Sequence, residues 1–382
     1  MIELADHNHG EIARTVVSNQ GYWVNTTESL YLDLWLGNSA YVWGYNNAEL
    51  NQALAAGMSD VSFVRGRQGE TCDMLNQVNQ RLTALTGMHS ILWTVSGSDA
   101  VEAGLEIAWQ WQQQQANPKS KILSFTPNYH GCTWLAKSLR RERSWNTQVV
   151  VVDASSEAEA WNNLLTTLDS TAGQRVGTII MESIPWLCGV KPWSKDWWYR
   201  LRCLCTERGI LLMIDDVAGA FGKAAAACTH TSLGIEPDIV ALGKALTGGH
   251  APLSCALAHE RLASALQQCR WVHGHTWQPW VPGLSLVNKV LDKIDQTRFN
   301  DLVGQTDDWI TDLGNTIKDH RGQGLIRELV FHGNIDPRIL EQAGLLTNQF
   351  YTNSLSFVVP QIADKNYWFQ LDQRIKYLIN NQ

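Results

Sequence analysis

The stretch GILLMIDDVAGAFGKAAAACTHTSLGIEPDIVALGKALTGG occupies residues 209–249 and decides the fold of this chain. It holds two short apolar runs, at 210–214 and 239–242, and each run predicts a buried β-strand. The first run leads into Asp215, and the second leads through a glycine into Lys244. Because ligands bind at the carboxyl ends of the strands in an open α/β sheet, we expect this acid and this lysine to meet there.

An acid and a lysine at one sheet edge have a specific chemical use. A lysine amine forms a Schiff base with an aldehyde, and a carboxylate keeps a pyridine nitrogen protonated. These are the two protein groups that pyridoxal 5′-phosphate (PLP) requires. Lys244 and Asp215 are therefore candidate catalytic residues, and PLP is the predicted cofactor.

Two motifs in the same stretch resemble those of the class III aminotransferases, which are PLP-dependent enzymes of fold type I. The family has D-E-x-x-x-G-F-G-R after a hydrophobic strand, and residues 215–223 read DDVAGAFGK. Further along, the family has P-D-I-x-x-x-G-K-x-L-x-G-G, and residues 237–249 read PDIVALGKALTGG. Within the family, the motifs are most similar to the branch of diaminopelargonic acid aminotransferases of biotin synthesis, which shares LGKALTGG and the alanine at Ala218.

This resemblance implies a fold and a domain organisation. The fold is α/β, the PLP-dependent transferase fold type I, with a mostly parallel central sheet sandwiched by helices. A smaller α+β domain is built from the two chain ends. The implied boundaries place residues 1–44 in the N-terminal part of the small domain, 45–285 in the large PLP-binding domain and 286–382 in the C-terminal small domain.

The periodicity of the sequence makes two further structural predictions. An apolar run at 31–35 predicts a strand, and the pattern from about residue 287 predicts one long helix leading into the C-terminal domain. Trp43 and Trp186 lie in stretches that we expect to border the substrate pocket.

A turn of small residues follows another predicted strand. Residues 91–95 predict the strand, 96–100 read SGSDA, and Val101 begins a pattern typical of an amphipathic helix. A helix N terminus offers free backbone N–H groups and the positive end of the helix dipole, so it suits an anion. The pattern alone fits an ordinary structural turn as well. The resemblance to the family motif S-G-S/T-x-A implies that Gly97 and Ser98 hold the PLP phosphate.

Further positions around the cofactor ring are assigned through the resemblance. Residues 129–133 read YHGCT and match the family motif Y-H-G-x-T. The match implies that Tyr129 stacks on the ring and belongs to the catalytic set, and that His130 belongs to the cofactor site. Glu182 ends another apolar run and matches a family glutamate at this edge. Val217 is expected against the ring face opposite Tyr129.

The resemblance also implies how the charged residues act. Lys244 holds the cofactor and, once a substrate amine has displaced it, serves as the base that moves the proton. Asp215 is ionised against the pyridinium N–H, so that the ring accepts an electron pair. Asp216 stands where the family has Glu and is one methylene shorter, and its role stays open.

A later motif bears on assembly. Residues 272–276 read VHGHT and resemble the family motif M/F-H-G-x-T. In the family this threonine reaches the PLP phosphate of the neighbouring subunit. The resemblance therefore implies the same contact for Thr276, and a homodimer with both active sites at the interface. Closed two-fold dimers are also the commonest soluble assemblies.

The composition narrows the class of protein. The 382 residues allow a sizeable core, and 45% are hydrophobic and 18% charged, as in ordinary globular enzymes. The net charge of −7 argues against a nucleic-acid partner. No apolar run approaches the ~18 residues that span a bilayer, and no secretory signal pattern is visible. The eight cysteines follow neither disulfide nor metal spacing, so we predict reduced thiols in a cytoplasmic enzyme without a metal.

One departure from the family pattern bears on the substrate. Many class III enzymes bind a substrate carboxylate through an arginine late in the small domain, yet no arginine occurs between Arg338 and Arg374. A carboxylate buried without a partner is costly, so substrate binding must be rearranged. We favour a substrate whose amine is distant from any carboxylate. Alternatively, an arginine from elsewhere replaces the missing one, and the candidates are Arg65, Arg67, Arg140 and Arg141.

Several functions remain open from the sequence. We predict an aminotransferase that moves an amino group between an amine or amino acid donor and a ketone or aldehyde acceptor, with a diaminopelargonate-type reaction in biotin synthesis as the specific candidate. One alternative is other PLP chemistry on the same fold, such as an aminomutase of glutamate-1-semialdehyde type or a decarboxylase. Another is a non-catalytic relative that serves as a binding protein.

Overall fold

The structure is a computed structural model that describes residues 14–140, 146–186, 189–268, 273–347 and 351–381. Its strands are β1 (Val16–Gln20), β2 (Trp23–Thr26), β3 (Leu30–Asp33), β4 (Ser90–Thr94), β5 (Lys121–Thr126), β6 (Val149–Asp153), β7 (Val176–Glu182), β8 (Leu211–Asp215), β9 (Ile239–Leu242), β10 (Ser254–Ala258), β11 (Asp319–Gln323), β12 (Ile326–Val330), β13 (Leu345–Leu346) and β14 (Ser354–Val358).

The helices are α1 (Leu36–Ser39), α2 (Ala48–Met58), α3 (Asp73–Thr86), α4 (Gly97–Gln113), α5 (Trp134–Ser138), α6 (Glu157–Asp169), α7 (Lys195–Arg208), α8 (Thr229–Leu233), α9 (Glu260–Gln268), α10 (Val281–Asp292), α11 (Gln296–Leu313), α12 (Pro337–Gln342) and α13 (Lys365–Asn380). Within the part of the chain that the structure describes, none of these helices combines the length and the apolar character needed to cross a bilayer.

A seven-stranded sheet forms the centre of the molecule, with the order β4-β10-β9-β8-β7-β5-β6. Strands β5 to β9 pair in parallel, whereas β10 runs antiparallel to both of its neighbours. The predicted strands at 210–214 and 239–242 are confirmed as β8 and β9, which lie side by side. The mostly parallel sheet expected for fold type I is therefore confirmed.

Both faces of this sheet are covered by helices, which explains why its strands are apolar throughout. In β8, Leu211 and Met213 pack into an apolar cluster with α4. Leu212 and Ile214 point to the opposite face and pack with α6 and α7. A strand buried on both faces has no solvent side, so it shows a continuous apolar run rather than an alternating pattern.

The two chain ends combine in a smaller α+β part. Near the N terminus, β1, β2 and β3 form an antiparallel sheet, and β13 from the C-terminal region joins it in parallel with Leu345 opposite Leu32. Strands β11, β12 and β14 form a second, antiparallel sheet. Leu302 of α11 and Ile375 of α13 belong to the same apolar cluster as Leu32. The expected contribution of both ends is confirmed, and the boundaries after residues 44 and 285 stay predictions.

The single long helix predicted from about residue 287 is wrong. The structure has two helices, α10 and α11, separated by three residues. Pro282 lies in the first turn of α10, where its missing N–H is harmless. Asp295 caps α11, because its side chain accepts hydrogen bonds from the N–H groups of Thr297 and Arg298. These local start signals, rather than the apolar pattern, set the helix boundaries.

The strand predicted at 31–35 is β3, which begins one residue earlier, at Leu30, and ends two residues earlier, at Asp33. Residues 36–39, labelled α1, form a left-handed turn rather than a regular α-helix, because all four have positive φ, between 49° and 64°. The Asp33 carboxylate accepts hydrogen bonds from the N–H groups of Trp35, Leu36 and Gly37 at 2.8–3.1 Å. Because the acid takes the hydrogen bonds that a continuing strand would need, the strand stops there.

Candidate active site

The carboxyl ends of β7, β8 and β9 bring three charged side chains together. Glu182 and Asp215 are paired residues of the parallel strands β7 and β8. Lys244 follows β9 after Gly243 and has a φ of 49°. Desolvation lowers the pKa of Lys244 from its ordinary value, and the charges of Glu182 and Asp215 oppose that shift. Burial thus favours the neutral amine, which is the nucleophilic form.

Asp215 is held from two sides. One carboxylate oxygen, Oδ2, lies 2.8 Å from Nδ1 of His130, and the other accepts a hydrogen bond from the N–H of Val217 at 3.2 Å. His130 and Asp215 are 2% and 5% exposed, so this contact is screened from water. Nε2 of His130 is buried and has no hydrogen-bond partner among the described residues. His130 therefore contacts the acid and fixes its orientation.

Glu182 connects the sheet edge to the predicted ring-stacking residue. Its Oε2 accepts a hydrogen bond of 2.8 Å from the backbone N–H of Tyr129. Burial raises the pKa of Glu182 well above its usual value, and the nearby charge of Asp215 adds to the shift. The ring of Tyr129 is half-exposed, its hydroxyl lies 3.0 Å from Sγ of Cys132, and burial raises its pKa to about 12. The phenol is therefore neutral at ordinary pH.

The predicted phosphate turn lies at the start of α4. Ser96 caps this 17-residue helix, and its Oγ accepts a hydrogen bond of 3.2 Å from the N–H of Asp99. Gly97 and Ser98 occupy the first turn, where backbone N–H groups have no partner within the helix. The hydroxyl of Ser98 accepts a hydrogen bond of 3.0 Å from the N–H of Cys132. The structure thus joins the turn to the 129–133 loop.

Val217 lies between the phosphate turn and the lysine loop. A methyl group placed on Gly97 would lie 2.7 Å from Cγ1 of Val217, and one placed on Gly243 would lie 3.3 Å from the same atom. A methyl on Gly131 would lie 2.3 Å from Oγ of Ser98. These contacts require glycine at close approach, and they bring the predicted site motifs into one cluster.

Two tryptophans form an apolar wall beside the lysine. The Lys244 amine lies 5.5 Å from the ring centroid of Trp186. Trp35 packs edge-on against that ring, with the centroids 4.5 Å apart and the planes at 84°. Trp186 is predicted to border the substrate pocket, and its ring lies next to Lys244. Trp43 is buried against the loop after Lys244, and Trp35 carried no sequence signal beyond its residue type.

Asp216 has a structural environment different from that of Asp215. It is fully buried, and its two oxygens accept hydrogen bonds from the N–H and the hydroxyl of Thr229 at 2.8 and 2.7 Å. Burial raises the pKa of Asp216. Nearby, the Lys223 amine is fully buried without a hydrogen-bond partner among the described residues, and burial, helped by the charge of Lys244, lowers its pKa to about 7.

Asp216, Cys228 and His230 also place three ligand-type atoms within 4.8 Å of one another. The acid and the thiol of this group do not favour a metal. Both Asp216 oxygens already accept hydrogen bonds. Nε2 of His230 lies 2.8 Å from the carbonyl oxygen of Thr86, and its buried Nδ1 has no hydrogen-bond partner among the described residues. Burial raises the pKa of the Cys228 thiol well above its usual value, which disfavours the thiolate that a metal binds.

The loop containing Thr276 lies against the start of α4. His273 and His275 approach the Asp99 carboxylate at 3.3 and 3.2 Å, and His273 lies 3.0 Å from that of Glu106. Hydrogen bonding to Asp99 raises the pKa of His273 above its usual value despite partial burial. Thr276 itself is exposed. The first residue of its motif, Val272, lies outside the described residues.

The candidate replacement arginines differ in position. Arg65 is largely exposed and pairs with a neighbouring glutamate. The guanidinium carbon of Arg140 lies 6.0 Å from the ring centroid of Tyr129, beside the predicted cofactor site. Arg141 and the side chain of Arg67 lie outside the described part of the chain.

The residues present fit PLP. The cofactor needs an amine, an acid for its pyridine nitrogen, an aromatic neighbour and an anion site for its phosphate. Lys244 supplies an amine whose neutral form is favoured, and Asp215 supplies a buried, fixed carboxylate. The first-turn N–H groups of α4, which have no partner within the helix, offer an anion site, and Ser98 joins it to the loop that contains Tyr129.

Comparisons with known proteins agree with this geometry. Residues 4–379 match the family model described as "Aminotransferase class-III". The ornithine aminotransferase of Staphylococcus epidermidis is 25% identical over 380 residues, which cover 94% of this chain and 92% of the relative. The adenosylmethionine-8-amino-7-oxononanoate aminotransferase of Geobacter sulfurreducens is 27% identical over 314 residues, covering 74% and 69%.

Solved structures show the same fold at lower sequence identity. An ornithine aminotransferase from Toxoplasma gondii superposes with a TM-score of 0.85 at 20% identity, covering 98% of this chain and 92% of that one. An (S)-enantioselective omega-transaminase from Thermomicrobium roseum superposes with a TM-score of 0.88 at 20% identity, covering 99% and 96%.

Proposed function

Because this chain belongs to the class-III aminotransferase family and is a PLP-dependent transaminase, we propose that its amino donor carries the reacting amine away from any carboxylate. The acceptor is a ketone or aldehyde, as in any transamination. The substrates are small molecules with amine and carbonyl groups. The proposal concerns the position of the reacting amine on the donor.

The apolar wall beside Lys244 is the observation that carries this proposal. A carboxylate on the reacting carbon would have to lie close to the Lys244 amine, where the rings of Trp186 and Trp35 stand. Moving a carboxylate from water against two indoles costs free energy unless a cation compensates. No arginine occurs between Arg338 and Arg374 to supply that charge. A terminal CH₂–NH₂ group avoids the cost.

The predicted site residues take the following roles in this proposal. Lys244 binds the cofactor and moves the proton at the reacting carbon, and burial favours the neutral amine that this role needs. The Asp215 carboxylate would accept the hydrogen bond of the protonated pyridine nitrogen, and His130 is its positioning residue. PLP, when bound, supplies the electron sink that makes this proton transfer feasible.

The remaining residues bind and orient the cofactor. We assign the phosphate to Gly97 and Ser98, one face of the ring to Tyr129 and the other face to Val217. Glu182, which accepts the backbone N–H of Tyr129, orients that aromatic residue. Aminomutase and decarboxylase reactions would use the same residues, so the product decides between these reactions and transamination.

The names of relatives support a terminal amine without establishing it. Matches include ornithine aminotransferases, and one matching structure is described as the ornithine delta-aminotransferase of Plasmodium falciparum. The match to the adenosylmethionine-8-amino-7-oxononanoate aminotransferase, together with Ala218 and LGKALTGG, favours a diaminopelargonate-type acceptor in biotin synthesis as a second candidate.

A panel of donors tests the proposal. The purified holoenzyme is mixed with 5-aminopentanoate, 1,5-diaminopentane, ornithine and norvaline, and the loss of cofactor absorbance and the carbonyl product are measured. We expect the terminal amines to react at least tenfold faster than norvaline. A preference for norvaline that is lost in Arg140→Gln would show instead that an arginine replaces the missing one. Formation of 7,8-diaminopelargonate from 8-amino-7-oxononanoate would identify the biotin-type reaction.

The proposal includes a cytoplasmic homodimer with active sites at the interface. The motif ending in Thr276 lies against α4, close to the phosphate turn, and Thr276 is exposed. Trp109, Trp134 and Trp277 are 53%, 76% and 51% exposed on or next to the same elements. Large exposed aromatic side chains at one face favour an interface between subunits.

A further inference from the structure

Asp99 is anchored to the turn that is assigned to the cofactor phosphate. It lies in the first turn of α4, directly after Ser98, and its N–H donates a 3.2 Å hydrogen bond to Oγ of Ser96. Its Oδ2 accepts a hydrogen bond of 3.2 Å from the N–H of Val95. Because both contacts are made within residues 95–99, the position of the Asp99 carboxylate is fixed relative to the phosphate turn.

The same carboxylate faces two histidines of the loop that carries Thr276. Nε2 of His273 lies 3.3 Å from Oδ1 of Asp99, and Nε2 of His275 lies 3.2 Å from Oδ2. The three side chains are between 14% and 25% exposed, so water screens these contacts only in part. Each carboxylate oxygen thus contacts one histidine, and Thr276 directly follows the second of them.

The charges of this group are those of an ion pair. Partial burial opposes the ionisation of Asp99, but the contact with His273 and the N–H of Val95 lower the pKa of Asp99 below its ordinary value. Hydrogen bonding to Asp99 in turn raises the pKa of His273. Each partner therefore favours the charged form of the other.

Helix capping explains only part of these contacts. An acid three residues after the capping serine completes a cap by accepting a backbone N–H, which Asp99 does through Oδ2 and Val95. The histidine contacts are additional, and Oδ1 takes no part in the cap. A cap alone would also be a poor reason for an acid here, because a carboxylate beside Ser98 repels a phosphate.

We propose that Asp99 is a positioning residue for the cofactor phosphate, because through His273 and His275 it holds Thr276 beside the phosphate turn of α4. The inference rests on the proposed function, since the homodimer gives Thr276 the phosphate of a neighbouring subunit to contact. In that dimer, Asp99 joins the phosphate turn of one subunit to the residue that reaches the cofactor of the other.

A comparison of PLP with pyridoxal tests this role. Pyridoxal has the ring and the aldehyde of PLP but no phosphate, so the pair separates phosphate binding from ring binding. The full chain, freed of cofactor, is titrated with each compound, and the cofactor absorbance gives the two dissociation constants. Asp99→Asn keeps the shape of the side chain and removes its charge. We expect this variant to raise Kd for PLP on the order of tenfold and Kd for pyridoxal by about twofold or less.

A direct effect of charge would have the opposite sign. If Asp99 acted only by repelling the phosphate, Asp99→Asn would bind PLP more tightly. Glu102→Gln is the matched control, because Glu102 lies one turn further along α4 and glutamine keeps an oxygen for the N–H groups of Leu135 and Ala136. It should change either Kd by about twofold at most. Tighter PLP binding in Asp99→Asn, or equal weakening of PLP and pyridoxal, would overturn the proposal.

Thr276→Val shows whether Asp99 acts through the histidine loop. We expect this variant to weaken PLP binding on the order of tenfold and to leave pyridoxal binding unchanged. Adding Asp99→Asn to it should cause little further loss, because the contact that Asp99 positions is already absent. Full additivity of the two substitutions would mean that Asp99 acts independently of Thr276, which contradicts the positioning role.

The same titrations distinguish failure of this inference from failure of the proposed function. If Thr276→Val weakens PLP binding and Asp99→Asn does not, the contact of Thr276 stands and the inference fails. If Thr276→Val leaves PLP binding unchanged, the contact on which both depend is wrong. No amino donor is present in these titrations, so their outcome does not depend on the position of the reacting amine.

Discussion

Two neighbouring acids at the sheet edge, Asp215 and Glu182, have different surroundings. Asp215 faces His130 and a backbone N–H, whereas the pKa of Glu182 is raised by burial and by the Asp215 charge. An amide mimics a neutral acid but not a carboxylate. We therefore expect Glu182→Gln to retain turnover within about threefold and Asp215→Asn to lose on the order of a thousandfold in kcat.

Asp216→Asn is the matched control for this pair, because Asp216 is buried one residue away and bonds to Thr229. Asp216→Asn should lower the free energy of unfolding and change kcat little. Steady-state kinetics with cofactor-saturated protein would compare the three variants. A greater loss of kcat in Asp216→Asn than in Asp215→Asn would mean that the wrong acid has been assigned to the pyridine nitrogen.

The identity of the cofactor-bearing lysine is a second question at the scale of residues. Both Lys244 and Lys223 have a lowered pKa and are neutral more readily than a surface lysine. Lys244, unlike Lys223, is separated by a single residue from the end of β9, the strand that pairs with Asp215. After borohydride reduction of the holoenzyme and peptide mapping, we expect the cofactor on Lys244. Label on Lys223 would refute the assignment, and Lys244→Ala should lose the cofactor absorbance.

The buried amine of Lys223 also predicts a pH dependence of stability. Its folded pKa is lowered from 10.5 to about 7, so below pH 7 both states are protonated and the folded state bears the full desolvation cost. Between pH 7 and 10.5 the unfolded state binds more protons, and stability rises with pH. We expect Lys223→Met to stabilise the protein on the order of 3 kcal/mol at pH 6.5 and much less at pH 9.5.

Urea denaturation at the two pH values measures this difference. Lys376→Met is the control, because Lys376 is exposed and pairs with Asp372 on the surface of α13. It should change stability little at either pH. A stabilisation by Lys223→Met that is the same at both pH values would show that the amine is not neutralised on folding.

At the scale of elements, the turn at residues 36–39 depends on contacts with residues outside the turn. Asp33 accepts three N–H groups of this turn, and Tyr45 donates its hydroxyl to the same carboxylate at 2.5 Å. Non-glycine residues with positive φ are strained and persist only where surrounding contacts hold them. We expect Asp33→Ala to cost about 3 kcal/mol of unfolding free energy.

Asp33→Ala should also alter substrate binding, because Trp35 packs between this turn and Trp186. The control is Asp295→Ala, which removes the cap of α11 and should cost about 1 kcal/mol without affecting KM. Chemical denaturation and steady-state kinetics would measure both quantities. Equal destabilisation by the two variants would show that Asp33 acts as an ordinary cap.

The elements that sequence predicts well are those with local causes. Strands β8 and β9 follow from their apolar runs, and the start of α4 follows from a turn of small residues. The break between α10 and α11 depends on Asp295, a signal that an apolar pattern does not contain. The end of β3 depends on Asp33, whose carboxylate accepts backbone N–H groups from residues 35–37 and the hydroxyl of Tyr45. Polar side chains that bind backbone N–H groups thus set the boundaries that an apolar pattern misses.

The same distinction holds for the site. Asp215 and Lys244 follow directly from strand ends, because the sheet brings those ends to one edge. Trp35 carries no motif, and it comes close to Lys244 through its contact with Trp186. A contact made by the fold is not written in a local motif, so a motif search finds Asp215 and Lys244 but not Trp35.

At the scale of the whole molecule, one face collects the features of an interface. A groove beside α4 is lined by Trp109, Thr133 and His273. Trp134 directly follows Thr133, and Trp277 lies four residues after His273. The phosphate turn begins the same helix. A subunit docked on this face would bury the exposed indoles and approach the cofactor site, which gives the predicted dimer a physical reason.

Disrupting this face should therefore separate the subunits and abolish activity together. We expect W109D/W134D to weaken dimerisation on the order of 100-fold, because buried tryptophans contribute strongly to interfaces and an aspartate there would be desolvated. Tyr199→Asp is the matched control, since Tyr199 is 67% exposed on α7, which covers the other face of the sheet.

Sedimentation velocity and cofactor absorbance measured over a dilution series would report assembly and cofactor retention. If Thr276 reaches the cofactor phosphate of a neighbouring subunit, cofactor loss will follow dissociation in W109D/W134D and not in Tyr199→Asp. A parent protein that is monomeric and fully active at nanomolar concentration would contradict both the dimer and the role of Thr276.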